Sequence, residues 1–130
     1  MIVRLLKVLD AHVFYTLQSG YDTHSAQLFA HSNLLFELSG ALKAFLDDLA
    51  AARLADRVVV LLFSEFGRTV SENGSGGMGH GTAGPVFLAG SGVKGGLVGT
   101  TPSLLDLDAE DGDLQRSLGG TFECQPLFRN

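Results

Sequence analysis

The sequence predicts an α/β fold built on a mostly parallel sheet with a crossover helix, and three observations carry that prediction. Residues 58–63 read Val-Val-Val-Leu-Leu-Phe, six apolar residues without alternation, as in a strand buried on both faces. Upstream, Leu34, Leu35, Leu38, Leu42, Phe45, Leu46 and Leu49 recur at intervals of three and four, the apolar stripe of an amphipathic helix. Residues 12–18, HVFYTLQ, are rich in β-branched and aromatic types and read as a short strand. Strand, helix and strand in that order make a βαβ unit, whose crossover is almost always right-handed.

The elements follow in chain order. The start, residues 1–9, scatters Arg4 and Lys7 through apolar positions and has no small-residue cleavage site. It does not read as a signal peptide but as the second half of an amphipathic helix. The strand at 12–18 stops at Ser19-Gly20. The helix is expected over residues 33–54, with Glu37, Lys43, Asp47 and Asp48 facing outward. Asp56-Arg57 punctuates before the apolar strand. Residues 67–99 hold twelve of the 17 glycines, and within that window Pro85-Val86-Phe87-Leu88-Ala89 forms one more short strand. From Thr100 the chain is acidic and turn-like through residues 106–113, and beyond Ser117 no periodicity remains.

Composition bounds the possible functions. A chain of 130 residues is enough for one compact domain. Nine Lys and Arg against 14 Asp and Glu give a net charge of −5, which argues against a nucleic-acid binder and a polybasic membrane-surface module. Apolar residues at 45% and charged ones at 18% support a packed core. No apolar run approaches the ~20 residues of a transmembrane helix, and no repeat of ~20–50 residues is present. A single cysteine, Cys124, excludes an internally disulfide-stapled scaffold.

In open α/β sheets, functional residues gather in loops at the carboxyl ends of strands, and three segments meet that test. Gly20-Tyr21-Asp22-Thr23-His24 places a carboxylate and an imidazole two residues apart. Both can turn toward one divalent cation, with Gln27 and His31 following at helical spacing; alternatively Asp22 caps the helix and His24 is a surface histidine. Ser64-Glu65-Phe66-Gly67-Arg68 places Glu65 at the end of an apolar strand. A carboxylate buried there needs a cation or a paired base, so Glu65 is either a metal ligand or the ion-pair partner of Arg68. The glycine loop from Glu72 to Thr82 carries His80 between two glycines, where core packing does not explain it. Its successive N–H groups can cradle an anion, and the alternative is a mobile surface loop.

Other motifs fail on context. Gly74-x-Gly76-x-x-Gly79 and Gly90-x-Gly92-x-x-Gly95 fit the dinucleotide fingerprint by spacing, but no helical pattern follows either. There is no Walker loop, no G-x-S-x-G elbow and no C-x-x-C pair. Cys124, Ser64 and Ser75 have no base placed for nucleophilic attack, so no catalytic nucleophile is assigned.

The ordered set GYDTHSAQ at 20–27, VVVLLFSEFGRTVSENGSGGMGHGTAGPVFLAGSGVKGGLVG at 58–99 and PSLLDLDAEDGDL at 102–114 closely resembles a large bacterial family, domain-of-unknown-function family 1501. Its members are related to the alkaline phosphatase and sulfatase superfamily. The resemblance implies an α/β/α sandwich of alkaline-phosphatase-like type with divalent metals at strand ends. It places Asp22, His24, Glu65 and His80 as metal ligands, with zinc, manganese, calcium and magnesium undistinguished, and gives Arg68 and Asn73 the contact with the ester oxygens of a small anionic substrate. Two departures stand out: Phe66 occupies a position where phosphatases carry a histidine, and Gly79 stands where the family often has aspartate.

The resemblance further implies that residues 1–117 are the C-terminal portion of a larger metal-dependent phosphatase- or sulfatase-like hydrolase, with residues 118–130 a divergent, irregular tail, either native or frame-shifted. The nucleophile-bearing half is expected to lie outside this portion. The alternative is a catalytically inactive remnant serving as a structural or interaction module. Its uncovered core surface would then favour self-association. Full-length relatives are often exported; no partner nucleic acid or membrane is expected.

Overall fold

A computed structural model describes residues 1–81 and 83–99. The acidic stretch at 106–113, Cys124 and the boundary at 117/118 lie outside the described residues.

Helix α1, Ile2–Leu5, is a single turn lying against the second helix, shorter than the half-helix expected at the start. Residues 12–18 form no strand, correcting the expectation drawn from their composition. β-branched and aromatic side chains favour a pleated backbone, but a strand also needs a neighbour to hydrogen-bond. None of the described strands pairs with this segment, and Val13, Tyr15 and Leu17 stand exposed.

Helix α2, Gln27–Ala51, is the principal element. Its inward stripe of Gln27, His31, Leu34, Leu38, Leu42, Phe45, Leu46 and Leu49 runs from half-buried to buried, so the predicted face is found. Leu35 is the exception and turns outward. The helix begins six residues before the expected Asn33 because its start is capped from a distance. The Ala26 and Gln27 N–H groups donate to the carbonyls of Ser75 and Gly76, at 3.0 and 2.8 Å. Ala26 is the N-cap, in the left-handed region, so the alternative role of Asp22 as helix cap does not hold.

The far end closes as a Schellman motif. The Leu54 N–H reaches the Leu49 carbonyl and the Arg53 N–H the Ala50 carbonyl. Arg53 takes the left-handed conformation, φ 58°, that glycine usually supplies there. Leu49 and Leu54, 1% and 8% exposed, are the hydrophobic side chains fully withdrawn from solvent among the described residues. A 3₁₀ turn, Ala55–Arg57, follows at the expected punctuation. No helix of the described residues is long and apolar enough to cross a membrane.

Four short strands complete the description: β1, Val60–Leu62; β2, Gly67–Arg68; β3, His80–Gly81; and β4, Phe87–Ala89. β1 pairs with β4 in antiparallel register, Val60 with Ala89 and Leu62 with Phe87. Both apolar runs foreseen as strands thus carry one. Leu61 and Phe63 are more than half exposed, so burial on both faces is not what this segment shows. The ladders of the described residues are antiparallel; a parallel βαβ pairing is not among them.

β2 pairs with β3, Gly67 opposite Gly81 and Arg68 opposite His80. The glycine loop is therefore the connection of a hairpin, and no helix follows either G-x-G-x-x-G stretch within the described residues. This hairpin positions the site.

Candidate metal centre

Asp22, His24 and His80 converge. Their ligand atoms all lie within 4.8 Å of one another, on side chains exposed to solvent. A single oxygen organises them: Asp22 Oδ1 stands 2.6 Å from His80 Nε2 and 2.9 Å from His24 Nε2. The hydrogen bond from His80 is the main influence holding the Asp22 carboxyl below its usual range, aided by the two imidazoles and opposed by desolvation. Asp22 Oδ1 is thus within hydrogen-bonding reach of both imidazole Nε2 atoms.

Local structure explains the convergence. Asp22 and His24 sit in the irregular turn leading into α2, and His80 sits on β3 opposite Arg68. Phe66 and Arg68 are two residues apart and so face the same side of the hairpin. That register places the Phe66 ring on the His80 imidazole, with centroids 4.0 Å apart and planes at 6°. The Arg68 guanidinium lies over the same phenyl ring, 5.0 Å from its centroid. His24 approaches the imidazole of His80 at 5.0 Å.

The glycine loop is closed by its own hydrogen bonds. Thr69 N–H donates to the Gly79 carbonyl at 3.2 Å, and Gly79 N–H to Thr69 Oγ1 at 3.1 Å. Asn73 Oδ1 accepts from Ser75 and Gly77 N–H at 2.9 and 3.0 Å, and Asn73 Nδ2 donates to the His24 carbonyl at 2.9 Å. These hydrogen bonds give the exposed segment a defined conformation.

Three of the four expected ligands are thus brought together, and Glu65 is not among them. The expectation for Glu65 rested on burial at a strand end, whereas the residue is exposed. No ion pair joins it to Arg68 among the described residues. Arg68 instead donates through Nη1 to the Met78 carbonyl at 2.8 Å and through Nη2 to the Tyr21 carbonyl. Gln27 is buried and His31 half-buried, with His31 edge-on to Tyr21 at 5.7 Å. Neither joins the cluster. Burial, then the nearby Glu37 charge, raises the Tyr21 phenol, which donates to Gln18 Oε1 at 2.9 Å.

Sequence reasoning missed Phe66 as a support for His80. The stacking follows from hairpin register across fourteen residues, which no local pattern announces.

One carboxylate and two imidazoles form a borderline donor set, suited to zinc and neighbouring transition metals more than to the oxygen-seeking calcium and magnesium. Asp22 Oδ1 and the Nε2 atoms of His24 and His80 are donors that a divalent cation would take, each imidazole then carrying its proton on Nδ1. By that test the residues fit a metal ion.

The family described as Protein of unknown function (DUF1501) matches this chain over residues 3–123, and the chain belongs to that family. No curated protein and no solved structure matches it.

Proposed function

We propose that this member of the family is a divalent-metal-binding module whose ligands are Asp22, His24 and His80, and that it serves the hydrolysis of small phosphoric or sulfuric esters. The observation that carries the reading is the convergence of the three ligand atoms within 4.8 Å, contributed by two segments far apart in the chain. When bound, the ion would supply Lewis-acid polarisation of an ester oxygen and a lowered pKa for a bound nucleophile. The chain's own residues hold the three donors on an open face, so a substrate can approach from solvent. Phe66 closes one side of His80 and leaves its Nε2 toward Asp22.

The α/β/α sandwich and the kinship to phosphatases and sulfatases belong to the same proposal. They rest on the resemblance of the three motif segments. Glu65 as a further ligand rests on that resemblance alone, since its side chain is not grouped with the other three among the described residues. Contact of Arg68 and Asn73 with an ester belongs to the same proposal, through the N–H groups that the carbonyls of Tyr21, Met78 and His24 leave unused.

A specific observation favours a second reading, a non-catalytic module that associates with copies of itself. Leu28, Phe29, Leu35 and Phe36 stand exposed on the outward face of α2.

Metal analysis of protein purified without chelators, paired with thermal unfolding with and without EDTA, tests the first reading. About one zinc or manganese per chain is expected. At a metal concentration a hundredfold above Kd, binding adds about 2.7 kcal/mol to stability, lost in His80→Ala. A chain that carries no metal and unfolds at the same temperature in EDTA sinks the proposal. Turnover of an aryl phosphate or aryl sulfate by the metal-loaded protein separates the hydrolase from the module.

A further inference from the structure

We propose that Arg68 and Asn73 are positioning residues, a two-point clamp that holds the loop of Asp22 and His24 against the hairpin of His80 and so sets the spacing of the three ligands. The clamp deepens the metal-binding reading and rests on it.

Arg68 supplies the first point. Its guanidinium donates with one arm to the carbonyl of Tyr21, the residue before Asp22, and with the other to the carbonyl of Met78, two residues before His80. A planar fork can bridge two acceptors at fixed separation, which a lysine ammonium on a flexible stem does poorly. The guanidinium also lies over the Phe66 ring that stacks on His80. No carboxylate pairs with Arg68 among the described residues. Its hydrogen bonds instead tie two segments together across 47 and 10 positions of sequence.

Asn73 supplies the second. Its Oδ1 takes the N–H groups of Ser75 and Gly77, which shapes the turn. Its Nδ2 then donates to the carbonyl of His24 across 49 positions. The turn so formed presents the Ser75 and Gly76 carbonyls to the N–H groups of Ala26 and Gln27. The chain around His24 is therefore gripped at His24 itself and again two and three residues later. Arg68 fixes the approach to Asp22 and His80, and Asn73 fixes His24.

Removing one point should loosen the cluster without unmaking the ligands. Partners that orient metal ligands are typically worth about 10–100-fold in affinity. The test is a Co²⁺ titration of the full chain, followed by visible absorption, for wild type, Arg68→Lys, Asn73→Ala and the remote control Lys43→Ala. Both clamp variants should bind about 10–100-fold more weakly, reach the same saturating stoichiometry and keep the far-UV circular dichroism of wild type. The control should bind as wild type does.

A second readout needs no metal: the Nε2–H resonances of His24 and His80 in the metal-free protein, which report donation to Asp22. They should shift toward those of solvent-exposed imidazoles in both clamp variants. Should Asn73→Ala lose its helical signal, Arg68→Lys, which keeps the charge, decides the matter. Wild-type affinity together with unmoved imidazole resonances in the variants overturns the clamp. A wild type that takes up no Co²⁺, while the resonances still move in the variants, overturns the metal reading and supports the clamp.

Discussion

A hydrogen atom at position 77 is a condition for the site. Gly77 lies so close to the peptide of His24 that an added Cβ would overlap the His24 carbonyl group. The Asn73 side chain crosses to that same carbonyl. Gly77→Ala should therefore push apart the segments that carry His24 and His80. Overpacking at a close contact costs about 1–3 kcal/mol, and Co²⁺ affinity should fall with it. Gly74 lies in the same loop with nothing within 4 Å of an added Cβ, so Gly74→Ala should change stability by no more than ~0.5 kcal/mol. Urea unfolding of the two variants side by side checks the pair. Equal stabilities would mean that the loop does not hold His24 closely.

At the scale of elements, the helix end shows a local cost that can be removed. Arg53 completes the Schellman closure of α2 with a positive φ, a conformation that costs a residue bearing a Cβ about 1–2 kcal/mol. Glycine adopts it freely but loses more chain entropy on folding. Arg53→Gly should therefore stabilise the protein by about 0.5–1 kcal/mol, read as a raised denaturation midpoint at unchanged m-value. A lowered midpoint would show that the Arg53 side chain contributes more than its backbone costs.

The same element shows what the sequence could and could not reveal. The inward stripe of α2 was legible because period and burial reside in the same residues. Its start was not, because the caps are carbonyls of Ser75 and Gly76, remote in sequence. Residues 12–18 had the composition of a strand, but composition does not supply a pairing partner. At the site, the spacing of Asp22 and His24 and the glycine setting of His80 were legible one segment at a time. Glu65 is exposed rather than buried because burial depends on tertiary contacts that apolar neighbours do not guarantee. The carbonyls that Arg68 and Asn73 bond lie 47 and 49 residues away, beyond the reach of any local pattern.

For the whole molecule, the balance between buried and exposed apolar surface leads to a prediction about association. The outward face of α2 places Leu28, Ser32, Leu35 and Ser39 at alternating steps of four and three, with Phe29 and Phe36 alongside, 79% and 80% exposed. The two serines return their hydroxyls to the helix, Ser32 to the Leu28 carbonyl and Ser39 to the Phe36 carbonyl, so covering them leaves no hydroxyl without a partner. Small residues between larger apolar ones let a second helix approach closely, and the same face on a second copy is self-complementary under two-fold symmetry. Burying a leucine or phenylalanine side chain is worth about 1.5–3 kcal/mol. Four from each copy are of the order needed to offset an association cost of about 4–15 kcal/mol. The net charge of −5 on each copy opposes the contact and is screened by salt, so association should strengthen as ionic strength rises. Sedimentation equilibrium should show a dimer at micromolar concentrations that becomes more populated in high salt. Phe36→Glu, at an exposed position of the helix, should return it to monomer with its helical content intact. A wild type that remains monomeric at high concentration and high salt, or a Phe36→Glu variant that still associates, rules out this face as the contact.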